Sequence, residues 1–244
     1  VDTKTLQQLR SREISERPPT LAGFQSKMVE AIVSMLDIPV ATASMQYSFG
    51  GNTNVSDAYT FYIQGRGYLY DFQKAENIDL AIQLFERALK EDSLYALAYS
   101  GLGEAYWKKY EVTRDVRWVD KATEYSKRSL QLNDLLPAVR MTLAVIYTGT
   151  GKYTEALAEY ERILQQDTAN ADAYRGLAAT LNKMADYARA EQAYKKAIML
   201  RPSYWAGYNE LGTFYYTRKR YQDALDQYRK VADLTPDNMI GHRA

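Results

Sequence analysis

The sequence predicts an all-α protein built from five consecutive helical hairpins that stack into a solenoid. An alanine recurs at intervals of 34 residues, at Ala156, Ala190 and Ala224. Around each alanine, apolar residues recur every three or four positions, and glycine or polar residues interrupt this pattern in mid-repeat. The chain also contains 22 tyrosines among its 244 residues, many at matching places. A period of this length is typical of proteins in which each repeat buries its apolar face against the next.

The first 57 residues lie outside this period and are predicted to form a separate N-terminal segment. Residues 1–14 are a candidate for one or two short strands. A helix is predicted at about 20–37, because its apolar residues are spaced three or four apart and Pro39 follows it. Residues 38–57 contain glycine and asparagine without periodicity, and we interpret them as a linker.

The rest of the chain divides into repeats of two amphipathic helices joined by a short turn. The last repeat shows this best, because Tyr208, Leu211 and Tyr215 share one face of its first helix. Its second helix is expected to stop at Thr235, since a residue before proline disfavours the helical conformation. The predicted repeats are 58–95, 96–136, 137–170, 171–204 and 205–238, followed by a tail at 239–244.

Small residues are expected where the two helices of a hairpin cross, and large ones where a gap must be filled. The small residues at these crossings are Gly65, Gly103, Ala144, Ala178 and Gly212. The large residues expected to fill the facing gaps are Tyr68, Tyr106, Tyr147, Leu181 and Tyr215 on first helices, and Phe85, Tyr160, Tyr194 and Tyr228 on second helices. Repeat two has Ser126 and Ser129 instead, together with seven extra residues, and is therefore expected to be the least regular.

These residues resemble the tetratricopeptide repeat (TPR), whose signature is an aromatic residue, Leu-Gly and Tyr, then Ala, an aromatic residue and a closing Pro. Tyr208, Leu211, Gly212 and Tyr215 match its first half, and the second half is matched by Ala190, Tyr194, Ala197 and Pro202. The resemblance covers 181 of 244 residues. It implies a right-handed superhelix whose first helices line a concave groove for a protein or an extended peptide.

Residues one turn from the small positions of the first helices are therefore expected to line this groove. They form a mixed aromatic and basic lining that could contact peptide amides and carboxylates. The candidate peptide-binding residues are Tyr62, Arg66, Tyr70, Trp107, Lys108, Arg175, Asn182, Lys183, Asn209 and Tyr216. In chaperone-tail receptors of the TPR family, lysines, asparagines and an arginine hold a terminal carboxylate. The corresponding places here are Tyr62, Arg66, Gly101, Ala138 and Thr142, so we expect that clamp to be absent.

Composition argues against catalysis and against several partners. The chain has no cysteine and one histidine, His242. We therefore expect no catalytic residues, no metal site and no cofactor. A formal net charge of +1 argues against nucleic-acid binding. The longest uncharged stretch, residues 38–56, contains proline and glycines, so no direct membrane insertion is expected.

Two further patterns have simple structural interpretations. Residues 149–152, Gly-Thr-Gly-Lys, lack the remaining residues of a phosphate-binding loop and are interpreted as the turn between the helices of repeat three. Glu155, Glu159 and Glu161 are expected to lie on the solvated face of the helix that follows.

The leading functional hypothesis is a non-catalytic protein-binding or peptide-binding scaffold. The segment 58–66 also resembles the first repeat of arrays in multidomain bacterial signalling proteins of the kinase, nucleotide cyclase or transcriptional activator type. That resemblance implies a regulatory or sensory region, with residues 1–57 as the remnant of an α/β module. The alternatives are a cell-envelope assembly factor of the lipoprotein type and, more remotely, a helical-repeat enzyme that uses tyrosines and carboxylates.

The ends of the chain lead to two further expectations. The sequence does not begin with methionine, so we expect a segment of a longer protein, on the cytoplasmic or extracytoplasmic side of a membrane-anchored bacterial protein. The outer face of repeat five, including Tyr221 and Leu225, is followed by few residues that could cover it. We therefore expect either a truncated array or packing between copies of the chain, as a homodimer or end to end.

Overall fold

A computed structural model describes residues 53–236, and this part of the chain forms ten α-helices without a strand. The helices are α1 (Ser56–Tyr70), α2 (Ala75–Glu91), α3 (Ala96–Thr113), α4 (Arg117–Leu132), α5 (Pro137–Gly149), α6 (Tyr153–Gln166), α7 (Ala171–Lys183), α8 (Tyr187–Leu200), α9 (Trp205–Thr217) and α10 (Tyr221–Leu234). Consecutive helices pair as five hairpins, which confirms the all-α repeat fold. The strands predicted within 1–14, the helix at 20–37 and most of the linker lie outside the described residues.

The helices form two compact units, one ending at Val139 and the other beginning at Arg140. The N-terminal unit contains the first two hairpins, α1–α2 and α3–α4. The C-terminal unit contains the hairpins α7–α8 and α9–α10 together with α6 and nearly all of α5. No helix among residues 53–236 combines the length and the apolar character that crossing a membrane requires.

Phe85 on α2 is the centre of packing in the N-terminal unit. Its side chain is fully buried, and it lies between Gly65 on α1 and Gly101 on α3. A Cβ atom at Gly65 would lie 2.6 Å from Phe85 Cε1, and one at Gly101 would lie 2.8 Å from the same atom. One ring therefore fills the gap within its own hairpin and the gap to the next hairpin. The role of Gly65 was predicted from the sequence, and that of Gly101 was not.

The same pairing of a ring with a glycine recurs in the C-terminal unit. A Cβ atom at Gly176 on α7 would lie 2.3 Å from the ring of Tyr160 on α6. A Cβ atom at Gly212 on α9 would lie 2.7 Å from the ring of Tyr228 on α10. Neither glycine could take even a methyl group unless a ring moved. The expected match of a small with a large residue is confirmed at Gly212 and Tyr228. Gly176 was not among the predicted small residues, and it lies in the hairpin that follows that of Tyr160.

Tyr68 is an exception, because it was expected to fill a gap and is 40% exposed. Tyr62, about one and a half turns earlier on α1, packs against interior rings instead. Its ring centroid lies 5.8 Å from that of Phe85 and 5.4 Å from that of Tyr95. Tyr62 therefore contributes to the ring packing of this hairpin, while Tyr68 remains partly open to solvent.

Repeat two is more tightly built than its sequence suggested. Ser126 takes the place of the missing aromatic residue, and a Cβ atom at Gly103 would lie 2.2 Å from its Oγ. Ser129 Oγ donates a hydrogen bond of 2.6 Å to the carbonyl of Ala96. The small serines thus let α3 and α4 approach closely, so the expected irregularity does not become loose packing.

Aromatic volume is restored in repeat two by stacked rings beside these serines. The ring of Tyr106 lies 5.5 Å from that of Tyr125 and 5.7 Å from that of Trp118, and both pairs are nearly parallel. Tyr99 adds a fourth ring, 6.2 Å from Tyr125. Trp118 lies in the first turn of α4, directly after the extra residues of this repeat, and its ring contributes to the packing of the hairpin.

Two interpretations from the sequence concern α6 and the turn before it. Residues 150–152 form the turn between α5 and α6, where Gly151 has a left-handed φ of 79°. This confirms the predicted turn.

Glu159 on α6 was expected on the solvated face, and this expectation is wrong. It is buried on α6, where it accepts hydrogen bonds from Arg140 on α5 (2.7 Å) and from Arg162 (2.9 Å).

Candidate functional site

The ten candidate residues lie on the first helices of four hairpins, α1, α3, α7 and α9, or at their ends. In the N-terminal unit, Arg66 on α1 forms an ion pair with Glu104 on α3. The two residues occupy equivalent places in successive repeats, since each directly follows the glycine of the helix crossing. The charge of Arg66 is therefore compensated within the protein.

Two other candidates in this unit pack against neighbouring side chains. Trp107 is only 5% exposed, and its Nε1–H donates to Glu111 at 3.0 Å. The ring of Tyr62 packs against those of Phe85 and Tyr95, as described above, and burial raises the pKa of its phenol. Trp107 therefore does not offer the open ring that was expected, whereas Tyr62 is half-buried.

The remaining N-terminal candidates differ in their surroundings. Lys108 donates to Glu111 at 2.8 Å, and its Nζ lies 4.3 Å from the ring centroid of Phe72. Tyr70, at the end of α1, is 93% exposed. Of the five candidates in this unit, only Tyr70 presents an open side chain without a charged partner.

In the C-terminal unit, Arg175 on α7 is held by two carboxylates. Its Nε donates to Glu210 on α9 at 2.9 Å, and its Nη2 donates to the same carboxylate. Its Nη1 donates to Asp172 at 3.0 Å, and Asp172 also accepts from Arg201 at 2.8 Å. The guanidinium lies 5.1 Å from the ring centroid of Tyr204. Arg175 therefore joins two repeats, and a ligand carboxylate would have to displace Glu210.

Asn182 at the end of α7 contacts a residue that the sequence analysis did not identify. Its Oδ1 accepts a hydrogen bond from Nη2 of Arg218, directly after α9. The guanidinium carbon of Arg218 lies 3.9 Å from the ring centroid of Tyr187 and 4.0 Å from that of Phe214. The sequence did carry a signal for this residue, because Arg218 follows Gly212 of the helix crossing by six residues and lies two residues after the candidate Tyr216.

The other three candidates of the C-terminal unit are Lys183 at the end of α7 and Tyr216 and Asn209 on α9. Lys183 is exposed, and no carboxylate among the described residues pairs with it. Tyr216 is 59% exposed and occupies the same place in repeat five as Asn182 in repeat four. Asn209 is half-buried, and its backbone carbonyl accepts from Thr213 at 2.9 Å. We call Asn182, Lys183, Tyr216 and Arg218 the α7–α9 patch.

Glu191 on α8 connects repeats four and five outside this patch. Its carboxylate accepts from Lys195 at 2.7 Å, from Tyr215 Oη at 2.8 Å and from Arg220 at 2.6 Å. Burial alone would raise the pKa of Glu191, but the three hydrogen bonds outweigh burial and lower the pKa to about 2. Three donors from two repeats thus favour the ionised carboxylate.

We expect Glu191→Ala to lower the free energy of unfolding at pH 7 by about 1–2 kcal/mol, because charge-assisted hydrogen bonds are lost. The folded-state pKa lies below the ordinary value of 4.5, so this stabilisation is complete above pH 4.5 and declines as the pH falls towards 2. Urea unfolding from pH 7 to pH 2.5 measures the difference. Gln192→Ala, on the exposed neighbouring residue, is the control. An effect of Glu191→Ala that does not change with pH would contradict this prediction.

Tyr221 and Leu225 on α10 were predicted to support packing between copies of the chain. Both are open to solvent, with exposures of 58% and 42%. The ring of Tyr221 also meets that of Tyr216 edge-on at 5.7 Å. Self-association through this face stays a prediction.

Residues 53–236 contain no group of three or more histidine, cysteine, aspartate or glutamate side chains suited to holding a metal ion. The carboxylates near the candidate residues instead accept hydrogen bonds from arginines and lysines, as at Glu210 and Glu111. What these residues can offer chemically is recognition of another molecule through cations, amide groups and aromatic rings.

Comparisons with known proteins agree with this fold. Residues 70–129 and 181–238 match one profile of the tetratricopeptide repeat, and residues 147–208 match a second. The small glutamine-rich tetratricopeptide repeat-containing protein 2 of Saccharomyces cerevisiae is 33% identical over 86 residues, which are 35% of this chain and 25% of that protein. The Hsp70-Hsp90 organizing protein 2 of Arabidopsis thaliana is 26% identical over 87 residues, which are 36% of this chain and 15% of that protein.

A solved structure shares the fold over a larger part of the chain. The crystal structure of a thermophilic TPR protein from Thermus thermophilus matches with a TM-score of 0.66 and 21% sequence identity. The match covers 76% of this chain and 95% of the thermophilic protein. At this identity the likeness concerns the fold alone. The two relatives above, in contrast, are matched over a quarter of their own length or less.

Proposed function

The chain belongs to the tetratricopeptide repeat family, and we propose that it is a non-catalytic scaffold that binds a protein partner through an extended peptide along α7 and α9. The observation that carries this proposal is the α7–α9 patch. It combines an open cation, an amide group, a guanidinium and an exposed aromatic ring on two successive first helices. Such groups can pair with peptide amides and carboxylates and pack against side chains.

Several of the other candidate side chains are paired with carboxylates or buried, which favours the α7–α9 patch as the binding site. Arg66 and Arg175 already pair with Glu104 and Glu210, so a peptide gains less from them. Trp107 is buried and offers no pocket. A peptide could contact Lys183 and Tyr216 without displacing a carboxylate of the protein, because both side chains are exposed.

The names of relatives also support a protein partner. The Arabidopsis relative is named as an organiser of Hsp70 and Hsp90, which are themselves proteins. The residues of the chaperone-tail clamp are replaced here, for example by Gly101 and Thr142. We therefore propose a peptide partner without assigning it to those chaperones.

We further propose that this scaffold is the regulatory or sensory region of a bacterial signalling protein. The support is the resemblance of residues 58–66 to the first repeat of arrays in such proteins. The coding sequence upstream of Val1 tests this point. A kinase, cyclase or DNA-binding domain there would support it, and a lipid-attachment signal would favour an envelope assembly factor instead.

Binding is tested with peptides selected from a library of random 12-residue sequences displayed on phage. We expect Lys183→Glu and Tyr216→Ala to weaken the selected peptides about tenfold each, because each variant removes an open contact of the patch. Isothermal titration calorimetry measures the affinities. Lys230→Glu makes the same charge change on α10, the second helix of the last hairpin, and is expected to have little effect. Equal affinities for all four proteins would contradict the proposed site.

A further inference from the structure

Arg218 differs from the other arginines of the C-terminal unit. Eight arginines lie between residues 140 and 236, and seven of them have a carboxylate oxygen within 4.0 Å. Arg218 is the exception in this part of the chain. Every acceptor that the structure gives it is neutral: the carbonyl of Phe214, the hydroxyl of Thr217 and the amide oxygen of Asn182.

The surroundings of this guanidinium leave one of its donors without an acceptor. Its central carbon lies 3.9 Å from the ring centroid of Tyr187 and 4.0 Å from that of Phe214. Its Nη1 donates to Phe214 and Thr217, both at 2.9 Å. Its Nε is buried and donates to no acceptor. A buried N–H of a cation without an acceptor is costly.

The unsatisfied Nε of Arg218 and the adjacent Nη2 form an edge of the guanidinium that can bind a carboxylate. A carboxylate accepts two parallel N–H···O bonds from a guanidinium, and Nε together with Nη2 forms one of the edges that can donate them. Here Nη2 donates to Asn182 Oδ1, and Nε donates to nothing. The neutral amide oxygen of Asn182 thus accepts from only one of the two donors on this edge, whereas a carboxylate could accept from both.

We propose that Arg218 binds a carboxylate of the peptide that the scaffold recognises. This inference rests on the proposed function and names the chemical class of its ligand, an acidic peptide. On binding, Asn182 rotates away from Nη2, and the carboxylate accepts from both Nε and Nη2. The Nδ2 group of Asn182 then donates to the same carboxylate, and the exposed Lys183 adds a second positive charge beside it.

Charge balance in this unit favours an anion over a neutral group. The charge of Arg175 on α7 is compensated by Asp172 on the same helix and by Glu210 on α9. Arg218 and Lys183, in contrast, have no carboxylate partner among the described residues. An uncharged acceptor would satisfy the Nε donor but leave the positive charge of Arg218 uncompensated. A carboxylate accepts from Nε and also compensates the charge. It can be an Asp or Glu side chain or the C-terminal group of the peptide.

The test combines changes in the peptide with changes in the protein. The probes are the library-selected peptides, each also made with every Asp or Glu replaced by Asn or Gln, and separately with an amidated C-terminus. With the unchanged protein, we expect loss of the critical carboxylate to weaken binding at least about tenfold. With Arg218→Gln, the same loss is expected to cost less than about threefold, because the partner of the carboxylate is already gone. The two peptide series identify which carboxylate is bound.

Two controls separate recognition from a structural role. Arg189→Gln removes a guanidinium on α8 that pairs with Asp186, and it should leave the cost of carboxylate removal unchanged. Arg218→Lys keeps the charge but loses the two-donor edge, so it should recover only part of the discrimination. If Arg218→Gln fails to fold, the Nε–Hε resonance of Arg218 in the unchanged protein gives the answer. It should shift with the acidic peptide and not with its neutral version.

The outcomes distinguish this inference from the function on which it rests. Peptides that bind at the α7–α9 patch but lose no affinity when made neutral overturn the carboxylate site and leave the scaffold function standing. An equal cost of carboxylate removal in the unchanged protein and in Arg218→Gln overturns it as well. Failure of every peptide to bind overturns both.

Discussion

Replacing Gly65 and Gly101 together by alanine is expected to lower the free energy of unfolding of the N-terminal unit by about 3 kcal/mol. Each new Cβ atom would lie within 3.0 Å of the Phe85 ring, which is fully buried between the two glycines. In either single variant the ring can retreat towards the remaining glycine, whereas in the double variant it cannot. The double variant should therefore lose more stability than the two single variants together.

Gly67 supplies the matched control on the same helix, because a Cβ atom there would meet nothing within 4 Å. Gly67→Ala is expected to stabilise the protein by up to about 1 kcal/mol, since alanine favours the helix over glycine. Urea unfolding followed by circular dichroism measures all four variants. Phe85→Leu in the double variant should restore part of the loss by making room. If Gly65→Ala were as stable as Gly67→Ala, close packing of rings against glycines would not hold these hairpins together.

Glu159→Ala is expected to lower the free energy of unfolding by about 3 kcal/mol or more, the second large effect. It removes the carboxylate that pairs with Arg140, and both side chains are more than nine-tenths buried. The remaining guanidinium would keep its charge in an apolar interior with fewer compensating groups. Urea unfolding at neutral pH measures this difference.

Two comparisons show whether the loss comes from the broken ion pair. Glu161→Ala, on an exposed residue of the same helix, should change stability by less than about 0.5 kcal/mol. The double replacement Arg140→Met and Glu159→Leu should recover most of the stability, because apolar residues can replace a buried ion pair at little cost. A double variant that is less stable than Glu159→Ala would contradict this explanation.

The repeat fold was predictable because it depends on spacing. Steric exclusion at Gly65 and Gly212 and the rings of Phe85 and Tyr228 follow from positions in the sequence alone. The second role of Phe85, against Gly101 of the next hairpin, was not predicted because it depends on how one hairpin is placed on another. The burial of Glu159 was missed for the same reason, since its partner Arg140 lies on a different helix.

The candidate site was predicted less completely, because a position on a helix face does not determine the partner of a side chain. Helical spacing placed Arg66 and Arg175 on first helices, but their pairing with Glu104 and Glu210 depends on contacts between repeats. Trp107 was assigned to the lining, and its burial became evident only in the structure. Lys183 and Tyr216 remain proposed contacts.

The most direct measurement of the proposed function is the location of a selected peptide on the protein, obtained from backbone amide chemical shifts during titration. The proposal predicts that the largest shifts fall in α7 and α9, centred on Asn182, Lys183 and Tyr216. Largest shifts on α8 and α10, or anywhere in the N-terminal unit, would contradict it.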